Sequence, residues 1–588
     1  MEVQITPSRS RMRQPRRANA KIALFLIAAM LLLLAASALV TFFVWRQFAP
    51  NARHVPPEFN GLAKPIFIQG KIMPETAIGT AESLRLPLPV VQQWIDPTIV
   101  FDDASQSVIL TTKQHVVQLK TAQLTAMVNH KPFALSFPVE KSGETVYIPI
   151  AQLKQYYHLT VSEQKDTGAV LIFRQGDAIS WARAISYKNR TVKVRTKPTA
   201  RAPIVAELAA NEAVMVWEDV GGWFKIQLEN GIIGYARKQE IKLDHMETVP
   251  FSPEPSPYIP WSPIGGKINL TWEQVYGKNP DTAKIGNMPG LNVISPTWFQ
   301  FAEDKTGEIY LQNKADAAYA KWAHDRGYQI WALFSNGFNP DWTAQMLKTY
   351  DSRQKIIDQL LSFAQLYHLQ GINIDFENVR LADGHLLTQF VREFTPLAHE
   401  QGLVVSIDVT VRGGSEMWSQ FYEREALGEI VDYMIVMAYD EHWASSPQAG
   451  SVASLPWTEK GVADIIKFDH VPAEKLLLGV PLYTRIWTEK TVDGKTEVSS
   501  KAISMAAVSQ IIAEKKLKPT FDQKSGQYYV EFGENGAKNK IWIENAASMQ
   551  SRIQIVKKYG LAGIASWSRN FDTPEIWNAI ADALKQMP

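Results

Sequence analysis

The sequence predicts an α/β protein: a (β/α)8 TIM barrel with a small α+β insertion, preceded by a small β-barrel domain, a small α+β domain and one N-terminal transmembrane helix. Three observations lead there. Residues 264–588 hold eight short apolar runs separated by helical patterns. Residues 187–245 read as short alternating strands broken by turn residues. Ile22 to Trp45 is a run of 24 residues without a charge.

Composition narrows the chemistry. At 588 residues the chain is too long for one core. With 46% hydrophobic and 20% charged residues it is globular rather than disordered. A net charge of +2 is too balanced for nucleic acid to be an expected partner. The absence of cysteine excludes disulfides, thiol nucleophiles and cysteine–zinc sites. The histidines form no HExxH pair, and the chain has no G-x-S-x-G elbow, Walker loop or calcium loop. No metal and no cofactor are expected.

The elements follow in chain order. Ile22–Trp45 lies between Lys21 and Arg46, and at ~1.5 Å per residue it spans a ~30 Å hydrocarbon core. Residues 1–21 form a basic tail carrying Arg9, Arg11, Arg13, Arg16, Arg17 and Lys21 against a lone Glu2. By the positive-inside rule the tail stays cytoplasmic and the rest is exported, giving a single-pass membrane protein anchored through residues 22–45. The alternative is a signal peptide cleaved near Ala35-Ala36-Ser37-Ala38, with secretion of the remainder. Residues 46–65 form a linker with prolines at 50, 56, 57 and 65.

Residues 66–180 carry an internal repeat. Leu84-Arg85-Leu86-Pro87 and Val146-Tyr147-Ile148-Pro149 each precede a short helix and two strands, at an offset of 62 residues. This unit resembles the small domain related to the N-terminal domain of copper amine oxidases, without copper ligands. Residues 187–245, with Val192-Lys193-Val194-Arg195, Gly222-Trp223-Phe224-Lys225-Ile226 and Gly234-Tyr235-Ala236, resemble the bacterial Src-homology-3-like domain. The resemblance implies contact with cell-wall peptide or glycan; a plain spacer is the alternative. Residues 246–263, with six prolines, form a stiff linker.

In the barrel, strands are expected near Ile268–Trp272, Leu291–Trp298, Gln329–Phe334, Gly371–Glu377, Leu403–Val409, Asp432–Tyr439, Leu476–Leu482 and Gly563–Trp567. The last interval is too long for one loop and helix. Alternation in residues 527–532 and 540–544 places a small insertion at about 486–550.

The motif with the most chemistry is Gly371-Ile372-Asn373-Ile374-Asp375-Phe376-Glu377. Strand alternation puts Asn373, Asp375 and Glu377 on one side. Barrel strands are otherwise apolar on both faces, so three inward polar groups are costly unless they form a hydrogen-bonded relay. Such a relay would end at the C-terminal mouth, where barrel enzymes act, and Glu377 is nearest that mouth.

This motif resembles that of glycoside hydrolase family 18, D-G-x-D-x-D-x-E, with Gln370 and Asn373 replacing the first two aspartates. A form with Asn373 is similar to the branch of bacterial spore and cell-wall N-acetylglucosaminidases. The resemblance implies Glu377 as general acid, with Asp375 and Tyr439 holding the substrate acetamido group. It places Asn373, Met437, Asp440, Tyr483, Arg485 and Trp567 in the substrate site, with Trp331 and Asn336 as further substrate-binding candidates. It implies substrate-assisted retaining cleavage of β-1,4 bonds in a polysaccharide, peptidoglycan glycan strands or chitin, without a second nucleophilic carboxylate. The alternative is a non-catalytic lectin or scaffold built on the same barrel.

Overall fold

The computed structural model describes residues 18–185, 190–251, 258–264, 266–493 and 495–585. The basic tail up to Arg17 and Pro253, Pro255 and Pro257 of the linker lie outside the described residues. The chain divides into two compact units, residues 1–95 with 147–252, and residues 96–146 with 253–588.

The first unit begins with a helix at Ala18–Phe48, within which Lys21–Trp45 is long and apolar enough to cross a membrane. Beyond it, Arg85–Pro87 pairs antiparallel with Thr145–Pro149, and Leu86 faces Ile148. Those two residues are 62 apart, so the sequence repeat meets itself across a local two-fold axis. A seven-stranded sheet from Ala178–Ala184 to Ile241–Thr248 forms the Src-homology-3-like module. Its Trp217 ring lies over Gly70, where an added Cβ would sit 2.3 Å from the indole. Phe67 and Leu171 share a cluster with Met215 and Trp217. One face of the module is thus packed within its own unit.

The second unit is the barrel. Its strands are β1 (Ile268–Glu273), β2 (Val293–Pro296), β3 (Gln329–Ser335), β4 (Gly371–Asp375), β5 (Val404–Thr410), β6 (Tyr433–Met437), β7 (Leu476–Pro481) and β8 (Gly563–Trp567). All neighbours are parallel, and β2–β3 and β8–β1 pairing closes the ring. Each expected run is a strand. Val405, Ile407, Ile372 and Ile374 face the surrounding helices, while Leu270, Trp272, Leu333, Ile435 and Leu477 fill the interior.

Three features go beyond the sequence expectation. A hairpin, Phe299–Glu303 with Ile309–Asn313, follows β2 and extends the sheet beside β3. The insertion starts at Tyr483, directly after β7, and builds a five-stranded antiparallel sheet ending at Ile543. A meander of five strands between Val100 and Ala134 packs on the barrel helices, burying Ile109 and Val116 in the barrel's outer core. There Asp102 accepts from the Tyr350 amide at 3.0 Å, and Asn129 donates to Glu400 at 3.0 Å.

Candidate active site

Alternation along β4 and its extension sets the site. Ile372, Ile374 and Phe376 are fully buried among the helices, so Asn373 and Asp375 turn inward. The Asn373 amide is saturated. Its Oδ1 accepts from Trp272 Nε1 at 2.9 Å and Ser295 Oγ at 3.1 Å. Its Nδ2 donates to Asp408 Oδ1 at 2.8 Å and to Ser406 Oγ at 3.2 Å. Four partners fix which end of the amide faces which strand.

Glu377 follows at the mouth, half-buried, and its backbone is clamped. Its amide donates to Asn336 Oδ1 at 3.2 Å and its carbonyl accepts from Asn336 Nδ2 at 2.7 Å. The preceding carbonyl, of Phe376, accepts from the Tyr422 hydroxyl at 2.8 Å. Asn336 is itself fully buried, with Thr343 and the Phe338 amide as further partners. The sequence reading offers it as a substrate contact; in the structure it is fully buried and brackets the Glu377 backbone at both ends.

Burial dominates the electrostatics. It pushes the Asp375 carboxyl up to about 7. It lifts Glu377 well above the usual glutamate range, with the Asp375 and Asp440 charges adding to the effect. Asp408 is raised in the same way, by burial first and then by Asp375, against the opposing bond from Asn373. Burial and these carboxylates also raise Tyr439, so its hydroxyl stays protonated as a donor. Asp375 Oδ1 is buried and finds no hydrogen-bond partner among the described residues.

The wall is aromatic. Trp272 packs edge-on to Trp567 at 5.6 Å and to Tyr439 at 6.4 Å between centroids. Met437 ends β6, nearly buried, opposite Gly479, where any Cβ would strike the Val436 carbonyl at 2.5 Å. Asp440 adopts a left-handed backbone (φ 59°) and is gripped by Tyr483 Oη at 2.6 Å and Arg485 Nη2 at 3.2 Å. The start of the insertion thereby shapes the mouth.

Trp331 is not brought to this site. It points inward but pairs with Gly371, four residues below Asp375, and it is fully buried. Its ring stacks on Tyr433 at 5.6 Å and meets Trp261 at 6.2 Å. It closes the opposite end of the barrel. Gly371 is glycine because a Cβ there would lie 2.8 Å from this indole.

Asp408, Trp272 and Tyr422 are functional candidates that the sequence reading does not single out. Ser406 and Asp408 do repeat the polar alternation of β4. Trp272 and Tyr422 carry no local signal, because their partners lie 101 and 46 residues away.

A closed parallel barrel presenting protonatable carboxylates at its C-terminal mouth, beside an aromatic wall, is an arrangement that can carry acid catalysis. Residues 294–572, most of the barrel, match the family described as Glycosyl hydrolases family 18. Residues 190–242 match the Bacterial SH3 domain, and residues 70–172 the Copper amine oxidase N-terminal domain. The chain is similar to the uncharacterized glycosylase YvbX of Bacillus subtilis, 26% identical over 307 residues, covering 50% of this chain and 85% of that protein. It is 25% identical to the cortical fragment-lytic enzyme of Bacillus subtilis over 256 residues, 42% of this chain and 58% of that one. Among solved structures, the Bacillus megaterium spore cortex-lytic enzyme SleL aligns with a TM-score of 0.48 at 17% identity, covering 64% of this chain and 89% of that one.

Proposed function

We propose that this protein is a membrane-anchored, extracytoplasmic hydrolase that cleaves β-1,4 bonds in an N-acetylglucosamine-containing polymer by substrate-assisted retaining catalysis. The observation that carries the reading is the inward pair of Asp375 and Glu377, both held toward the protonated form, with Asp375 Oδ1 unpartnered among the described residues. An acetamido N–H supplies the donor that oxygen lacks, and the Tyr439 hydroxyl faces the same group. Held there, the acetamido oxygen attacks the anomeric carbon as Glu377 gives its proton to the leaving oxygen. The C–O bond to the aglycone breaks and an oxazolinium forms. Water then adds at the anomeric carbon and returns a proton to Glu377, so the β configuration is retained. Trp567 serves as the sugar platform.

Peptidoglycan is the favoured substrate over chitin. The support is the apolar helix ahead of the Src-homology-3-like module and the similarity to a cortical fragment-lytic enzyme. The full chain in detergent, incubated with purified peptidoglycan and with chitin, is expected to release reducing N-acetylglucosamine ends from the former, initially as β anomers by NMR. Initial α product would overturn the neighbouring-group mechanism. Binding without release from either polymer would leave a lectin. Protease treatment of intact cells should free the barrel, whereas a mature N-terminus near Ala38 would replace the anchor with a cleaved signal.

A further inference from the structure

We propose that Asp408 on β5 supplies the deep carboxylate of the proton relay that β4 lacks at Asn373, acting through Asn373 and Asp375 to tune the acid Glu377. The inference rests on the hydrolase reading above and adds a positioning residue to it.

Register supplies the first argument. Asn373 pairs with Ser406 and Ile374 with Ile407, so the next step along both strands sets Asp375 beside Asp408. Neighbouring strands lie about 4.8 Å apart, and both side chains point inward. Asp408 is 1% exposed and Asp375 7%.

Hydrogen bonding supplies the second. With its Oδ1 committed to Trp272 and Ser295, Asn373 can present only its N–H to β5, and Asp408 takes it at 2.8 Å. An aspartate at 373 would instead set two carboxylates at that distance, with no donor between them unless one were protonated. Asn373 and Asp408 are therefore complementary, and the carboxylate of this layer has moved one strand over rather than disappeared.

The surroundings supply the third. The titratable groups around this layer are Asp375 and Glu377 from β4 and its extension, Asp440 after β6, which acts on Glu377 and is itself paired with Arg485, and Tyr439 and Tyr422, whose pKa values burial and the carboxylates raise. Among the described residues no Lys or Arg forms an ion pair with Asp408, Asp375 or Glu377. Two buried carboxylates and the half-buried Glu377, with no cation paired to any of them among the described residues, must share protons, and the highest apparent pKa then belongs to the group as a whole. An extra carboxylate in the cluster keeps Glu377 protonated to higher pH.

The test moves the carboxylate and follows the pH profile of the full-length protein. Asp408→Asn keeps the size and can still accept from Asn373, so a purely structural role would leave the profile where it was. The expected result is an alkaline limb of kcat/KM shifted to lower pH by about one unit or more, with at least a tenfold loss at neutral pH. Asn373→Asp alone should also impair activity. The double variant Asn373→Asp with Asp408→Asn returns the carboxylate to β4 and should recover most of the rate and the alkaline limb. A wild-type profile in Asp408→Asn, or no recovery in the folded double variant, would overturn the proposal. Infrared titration of the carboxyl band reads the same coupling without substrate. If the wild type cleaves neither polymer, the hydrolase reading fails by itself. The infrared shift in Asp408→Asn then still decides whether the cluster is coupled, and an unmoved band overturns the coupling.

Discussion

The two ends of the barrel interior are built from the same strands and solve opposite problems. At the N-terminal end Trp331, Tyr433 and Trp261 pack ring on ring, and Tyr258 stacks on His399, which bonds Asp432 at 3.0 Å. Every large group there buries apolar surface or satisfies its polar atom locally. At the C-terminal end, Asn373, Asp375, Asp408 and Glu377 crowd polar atoms into the interior, and Asp375 keeps an oxygen without a partner among the described residues. One end stabilises the ring, and the other buries polar groups at a cost to stability. A strand of five residues, Gly371 to Asp375, passes from the first regime to the second.

Substitutions at the two ends should separate accordingly. Glu377→Gln keeps shape but cannot deliver a proton, and turnover should fall by at least about 10²-fold, the scale of general-acid catalysis, with the melting temperature unchanged or raised. Steady-state kinetics beside a thermal melt checks both halves. Wild-type turnover would remove the acid role. Trp331→Ala should do the reverse, costing about 3–5 kcal/mol in denaturant unfolding while the folded fraction keeps its KM. A raised KM with unchanged stability would put Trp331 back among the sugar contacts.

Asp375 should show the tension within one residue. Burial holds its carboxyl near 7 against an ordinary 3.8. Between those values the folded protein keeps a proton that the unfolded chain has released, so this residue's contribution to stability falls as pH rises through about 4 to 7. Asp375→Asn removes that slope. It should be nearly inactive yet melt higher than wild type at pH 8, on the order of 1 kcal/mol or about 2–4 °C, with the gap closing towards pH 4. Parallel melting curves across that range would show that the carboxyl is ionised at neutral pH at no cost.

The same comparison marks what the sequence makes legible. Eight apolar runs give the ring because parallel strands covered by helices are apolar on both faces. Polar alternation in 373, 375 and 377 marks the side of β4 that turns inward. Alternation fixes the face but not the depth: Trp331 turns inward, yet it pairs with Gly371, four residues below Asp375. Asn336 lies close in chain to the mouth, but its role appears only when both ends of its amide are seen on the Glu377 backbone. Asp408 has the same alternation on β5, and only the register between β4 and β5 gives it meaning. The docking of residues 100–134 on the barrel helices is likewise long-range, resting on Ile109, Val116 and Asn129 rather than on any local pattern.

Tyr439 offers the smallest and sharpest cut. Its ring belongs to the wall beside Trp272, and the proposed mechanism gives its hydroxyl to the acetamido group. Burial and the neighbouring carboxylates keep that hydroxyl protonated, so it acts as a donor at every working pH. Tyr439→Phe deletes one donor and leaves the packing. The net value of such a bond is about 1 kcal/mol, which corresponds to roughly a fivefold loss. If the hydroxyl holds the acetamido oxygen only while that oxygen attacks, the loss falls on kcat and spares KM. If it holds the group equally in the bound substrate, KM rises and kcat stays. The two outcomes distinguish a group that orients the nucleophile from one that merely retains the sugar. A loss far beyond tenfold in both would mean that the hydroxyl, and not only the ring, supports the relay beneath it.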